Sequence, residues 1–194
     1  MRLLVISSAL LGALALGGCN DKKSAEAPPP PQQLTTAAIG HYCGMNVLEH
    51  PGPKGQILLA SRKEPVWFSS ARDAVSFTML PEEPKDIRAI YVSDMGKAAT
   101  WEEPGATNWV DARQAVFVIG SRMKGGMGAA EVVPFSDRSA AEKFASDNGG
   151  RIVSFAEVPK DYVLGAEEDA APPPPPRGMS GHGAATAPKS GHMH

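Results

Sequence analysis

The chain has 194 residues, with 21 acidic against 19 basic side chains and a net charge of −2. Phosphate contacts need a basic patch or stripe, which this chain lacks, so nucleic acid is excluded as a partner. Once the Pro-rich ends are set aside, residues 39–164 are enough for one compact domain or two very small ones.

Residues 1–18 read as a signal peptide. Arg2 gives a positive start, Leu3 to Leu16 are apolar apart from two serines and a glycine, and Leu16-Gly17-Gly18-Cys19 is a lipobox. The apolar run is too short to span a bilayer, and processing before Cys19 would leave the chain held to a membrane by acyl groups on that cysteine. The bland alternative is an ordinary cleaved signal peptide with an incidental cysteine. No other segment is apolar enough to cross a membrane. Cleavage removes one charge, Arg2, and leaves 176 residues with a net charge of −3. The expected location is the periplasm, and Asn20-Asp21 favours the inner over the outer membrane. Residues 19–38, with Pro28 to Pro31 at their centre, read as a semi-rigid tether, because proline runs favour extended polyproline II over packing.

The folded domain is expected over residues 39–164. It opens with His41-Tyr42-Cys43-Gly44-Met45, which sets imidazole, thiol and thioether at alternate positions. In an extended segment all three would project to one side, and Gly44 would let the backbone bend so that the sulfurs converge. With Cys19 lipidated, Cys43 is the one cysteine left. A lone thiol in an oxidising compartment is buried and inert, paired between chains, or bound to something. Thiolate plus thioether is a soft donor set suited to Cu(I), whereas zinc sites use thiolate, imidazole and carboxylate. The competing reading is a buried cysteine and a core methionine at a strand edge.

The rest of the domain contains a repeat. Phe68-Ser69-Ser70 leads into a helix over 71–80, and Phe135-Ser136-Asp137 into a helix over 138–148. A second phenylalanine, Phe77 or Phe144, follows nine positions after the first. Each helix has a serine near its start to accept from free backbone N–H groups. Ala71, Ala74, Val75, Thr78 and Met79 in one, and Ala140, Ala141, Phe144 and Ala145 in the other, have helical spacing, and Asn148-Gly149-Gly150 is a stop. Strands are expected over 56–60, 66–68 and 87–92 around the first helix, and over 115–120, 131–135 and 151–155 around the second. The fold class is therefore α+β: two β-β-α-β repeats, each too small to bury a good core alone, packed into one domain. From residue 165 an acidic patch and five prolines, Pro172 to Pro176, lead into a Gly/Ala/Ser tail carrying Met179, His182, His192, Met193 and His194. Such a segment cannot bury a core, and it reads either as a loose auxiliary copper collector or as a simple disordered end.

The run Tyr42-Cys43-Gly44-Met45, then Glu49-His50-Pro51-Gly52-Pro53-Lys54-Gly55-Gln56-Ile57, resembles the signature of the NosL family, copper-binding lipoproteins accessory to nitrous oxide reductase. The resemblance continues through Gly125-Gly126-Met127-Gly128, Val133-Pro134-Phe135 and Asn148-Gly149-Gly150, and so covers nearly the whole domain. Paired β-β-α-β halves are also what the family implies. One departure is Gly-Gly before Met127, where Gly-Pro is expected in many members, which would leave that loop freer.

Carried over position by position, the resemblance implies Cys43 and Met45 as Cu(I) ligands, with Met127 and His50 as the candidates to complete the site. Against these stand a surface methionine in a turn and a histidine hydrogen-bonded within its own turn. His41 is an auxiliary candidate that could only shape the entrance. The function implied is a metallochaperone, not an enzyme, whose partners are nitrous oxide reductase and the ABC-type complex that assembles it in the inner membrane. Two alternatives stay open: a thiol-dependent enzyme using Cys43 on soft-metal compounds, and a metal-free assembly module. No resolving cysteine lies near Cys43 to favour the enzyme.

Overall fold

The computed structural model describes residues 27–165. The signal segment, Cys19, and the tail with Met179, His182, His192, Met193 and His194 lie outside the described residues. Among the described residues, no helix is long and apolar enough to cross a membrane.

The first sheet forms around the apolar run Ile57-Leu58-Leu59. β1 (Gly55–Leu59) is buried along its whole length, as a continuous apolar strand must be. β2 (Val66–Phe68) and β3 (Ile87–Ser93) pair with it antiparallel on either side, so that Gly55 faces Phe68 on one flank and Val92 on the other. α1 (Ala71–Met79) connects β2 to β3, and β4 (Trp109–Asp111) adds an edge beside β3. The second sheet repeats the plan. β5 (Val116–Ile119) is central between β6 (Val133–Phe135) and β7 (Arg151–Ser154), with α2 (Arg138–Asn148) between the last two. Each half is thus β-β-α-β with its first strand in the middle, as the repeat predicts. β4 and the short α3 (Lys160–Leu164) lie outside the repeat and have no counterpart in the expected elements.

The repeated phenylalanines explain why the pattern recurs. Phe68 and Phe77 meet at 5.5 Å between ring centroids, and Phe135 and Phe144 at 5.3 Å, so each pair fastens a helix to the strand before it. Aromatic ring contacts of this kind add about 0.5–1.5 kcal/mol beyond the area they bury. The helix starts differ. Ser70 caps α1, accepting from Asp73 N at 3.1 Å. The expected serine does not cap α2. Asp137 does, accepting from the amides of Ser139 and Ala140, because a carboxylate is the stronger acceptor at the positive end of a helix. Ser136 instead donates to Asp94 at 2.5 Å. α2 stops at Gly149, whose φ of 73° is left-handed.

One core serves both halves. Ile57, Val75, Phe77 and Ile90 of the first pack in a single cluster with Phe117, Ile119 and Val153 of the second. Val163 of α3 joins that cluster, and its carbonyl accepts from Arg72 Nε and Ser76 Oγ of α1.

The packed domain begins before Ile39, which corrects the extent of the tether. Leu34 and Ala38 are buried with Val47, Gln32 and Gln56 exchange two hydrogen bonds of 2.8 Å, and Tyr91 OH donates to Pro29 O. Proline stiffness does not prevent packing here, because an extended chain can lay its free carbonyls along the sheet face.

Candidate metal centre

The Cys43 segment is a turn, not the extended segment in which alternate side chains of 41–45 would share a side. A bridge between Ile39 and Asn46 closes it, Gly40 N donates to Met45 O, and Gly44 N donates to Gly40 O. Gly44 takes a φ of 67°, which glycine adopts without steric cost. A turn loses the two-residue period of a strand, so alternate side chains no longer share a side. His41 is the casualty. Its ring packs against Phe77 and Phe68 at 5.6 and 5.9 Å, and its Nε2 lies 3.2 Å from Glu83 Oε1. Tyr42 donates to the same oxygen at 3.0 Å, and burial followed by that carboxylate pushes the phenol pKa up.

Cys43 turns the other way. Its Sγ lies 3.1 Å from Ser69 Oγ, just before α1, and 4.0 Å from His50 Nε2. Gly40 makes room for the thiol: a Cβ there would sit 2.6 Å from Sγ and 2.7 Å from Ser69 Oγ. Bonds of about 2.3 Å to sulfur and about 2.1 Å to nitrogen, the values for zinc, would span a 4.0 Å gap with an angle of roughly 130° at the ion. The spacing of the pair therefore fits one shared metal ion, at an angle that suits a low coordination number. Among the described residues, no three of His, Cys, Asp and Glu gather at one point.

His50 is buried, and its turn is held from within. Lys54, only 2 % exposed, donates from Nζ to the carbonyls of His50 and Gly52. Burial lowers its pKa to about 8, with Glu131 opposing the shift. Gly52, at φ 84°, lies against Trp101 and donates to its carbonyl at 2.8 Å. The imidazole thus sits on a braced turn, as the Pro-Gly-Pro sequence leads one to expect.

Met45 and Met127 are 41 % and 54 % exposed. Met127 caps a loop closed by a bridge between Lys124 and Ala130. That loop lies on the His50 turn: a Cβ on Gly126 would be 2.4 Å from His50 Cβ and 3.1 Å from Pro51 O. The Gly-Gly pair, expected to free the loop, serves close approach instead. The structure therefore brings Cys43, His50 and the Met127 loop into one region and sends His41 out of it. Sequence reasoning passed over Ser69, Gly40, Lys54 and Glu131. Ser69 and Lys54 stood inside motifs already singled out, but nothing in the sequence shows that one meets the thiol and the other braces the turn.

The NosL family model matches residues 31–163. The copper-binding lipoprotein NosL of Achromobacter cycloclastes is 48 % identical over 132 residues, 68 % of each chain. The protein of the same name from Stutzerimonas stutzeri is 31 % identical over 150 residues, 77 % of each. The crystal structure of the copper chaperone NosL from Shewanella denitrificans superposes with a TM-score of 0.63 at 35 % identity, covering 67 % of this chain and 97 % of that one. The family match begins near the buried Leu34, runs through both halves and ends at Val163 in α3, so this chain belongs to the NosL family.

Proposed function

We propose that this chain is a periplasmic Cu(I) carrier, held to a bacterial membrane through Cys19, that supplies copper for the maturation of nitrous oxide reductase. The observation that carries the reading is the 4.0 Å approach of Cys43 Sγ to His50 Nε2, with half-exposed thioethers on the adjoining segments. Relatives named as copper-binding lipoproteins support copper as the cargo. The soft donors support its cuprous state.

Cu(I) is bound and passed on unchanged. Cys43 gives up its proton and supplies the negative charge, while Ser69 can donate to the thiolate. His50 offers the imidazole nitrogen. Met45 and Met127 contribute neutral sulfur with no proton to lose, so they release the ion readily. A partner's ligands reach the ion from the exposed thioether side and replace the donors one at a time. The recipients in this reading are the ABC-type assembly complex and the copper-sulfide centre of the reductase.

Anaerobic titration of the mature chain with Cu(I), against a chromophoric chelator, tests the proposal. One tightly held ion is expected, lost in Cys43→Ser. Met127→Leu keeps volume and apolarity while removing sulfur, so it should leave the fold intact and weaken binding by about tenfold. Retention of a tight ion by Cys43→Ser would end this assignment. An unchanged affinity and sulfur count in Met127→Leu would remove Met127 from it.

A further inference from the structure

Glu131 has no part in the copper-carrying steps, yet its carboxylate is buried where the two halves meet. It follows Met127 by four residues and is 1 % exposed. Its Oε1 accepts from Val132 N and from Arg72 N, a first-turn amide of α1 in the other half, both at 2.8 Å. Its Oε2 has no hydrogen-bond partner among the described residues. That oxygen is aimed at the Met127 loop: a Cβ built on Gly125 would lie 2.4 Å from it and 3.6 Å from Ser70 Cβ. The next residue, Gly126, presses on His50. The loop is therefore wedged between the carboxylate, the start of α1 and the His50 turn.

We propose that Glu131 is a positioning residue, whose carboxylate seats the Lys124–Ala130 loop against the His50 turn and the start of α1, and so keeps Met127 beside the Cys43–His50 pair. The proposal rests on the copper reading only for its consequence, because the seating itself is a property of the metal-free protein. A buried carboxylate oxygen left unpaired is unfavourable, and it persists where the surrounding structure uses the group for something else. Here that use is to join a loop of one half to a helix start of the other. Groups that orient metal ligands without touching the metal commonly change affinity by about 10- to 100-fold.

Two measurements on the mature chain decide it. In the metal-free protein, amide relaxation over 124–130 is compared among the wild type, Glu131→Ala and Glu131→Gln. Glu131→Ala should loosen the loop and expose the Arg72 amide to exchange. Glu131→Gln, which can still accept from both amides and fill the space under Gly125, should restore order. An equally ordered loop in Glu131→Ala overturns the proposal. Should that variant not fold, Gly125→Ala probes the same buried contact from the loop side. Its methyl group meets a carboxylate too buried to move, so the loop should lift, and an undisturbed loop is again fatal.

The second measurement is a double-mutant cycle on Cu(I) affinity. If Glu131 acts through Met127, Glu131→Ala weakens binding by about tenfold in the wild type and has no further effect on Met127→Leu. Multiplying losses overturn the proposal. A wild type that binds no copper defeats the copper reading, while the relaxation data still judge the seating.

Discussion

At the residue scale, burial moves Glu131 and Lys54 in opposite directions, the carboxyl up and the ammonium down. Burial raises the Glu131 pKa to about 8 from an ordinary 4.5. The folded chain then holds a proton that the unfolded chain has released. The stabilisation is complete below pH 4.5 and is lost as pH rises toward about 8. Burial lowers Lys54 to about 8 from 10.5, so it is charged in both states below that value and contributes its own slope only above it. Denaturant unfolding between pH 5 and 8 should therefore show stability falling by on the order of 1 kcal/mol per pH unit, with this slope abolished in Glu131→Gln. A slope that survives the substitution assigns it to another group.

At the element scale, the two helices have the same place in their repeats and unequal duties. α1 starts beside Ser69 and so beside the thiol, whereas α2 packs on β5, β6 and β7 and takes no part in the candidate site. Asp137 caps α2 on the surface. Asp137→Ala should lower stability by about 1 kcal/mol, the usual worth of such a cap, and leave Cu(I) affinity unchanged. Chemical denaturation and the chelator titration check the two halves of that statement. An affinity loss would show that α2 transmits strain to the metal centre. The helices, their adjoining strands and the Phe68/Phe77 and Phe135/Phe144 pairs were legible in the sequence, because helical and strand periods are local. β4 and α3 were not, since three-residue and five-residue elements are too short to show a period.

At the scale of the whole molecule, α3 staples the halves together. Val163 O accepts from α1, while Tyr162 OH donates to Glu131 O at 3.0 Å and accepts from Gly120 N at 2.9 Å. Ending the chain at Gly165 should keep the cooperative melt, because the proline, glycine and alanine tail offers little apolar surface to bury. Ending it at Pro159 removes the buried Val163 and leaves the Gly120 amide and Glu131 carbonyl without their phenol, so the loss should reach several kcal/mol. Thermal melts of the two truncations provide the comparison, and equal midpoints would deny α3 this role.

The sequence by itself determined the paired β-β-α-β halves, the resemblance to the NosL family, and Cys43 and His50 as candidate donors. Each of these is written in a local period or a contiguous motif. Tertiary structure decided which candidates meet. His41 meets Glu83, Phe68 and Phe77 because the Ile39–Asn46 bridge closes its segment into a turn, and the Met127 loop reached His50 because Gly126 has no side chain. Glu131 sits 59 positions from Arg72 and yet accepts from its amide in the first turn of α1. No local pattern encodes such a contact, since it exists only once both halves have closed on their common core.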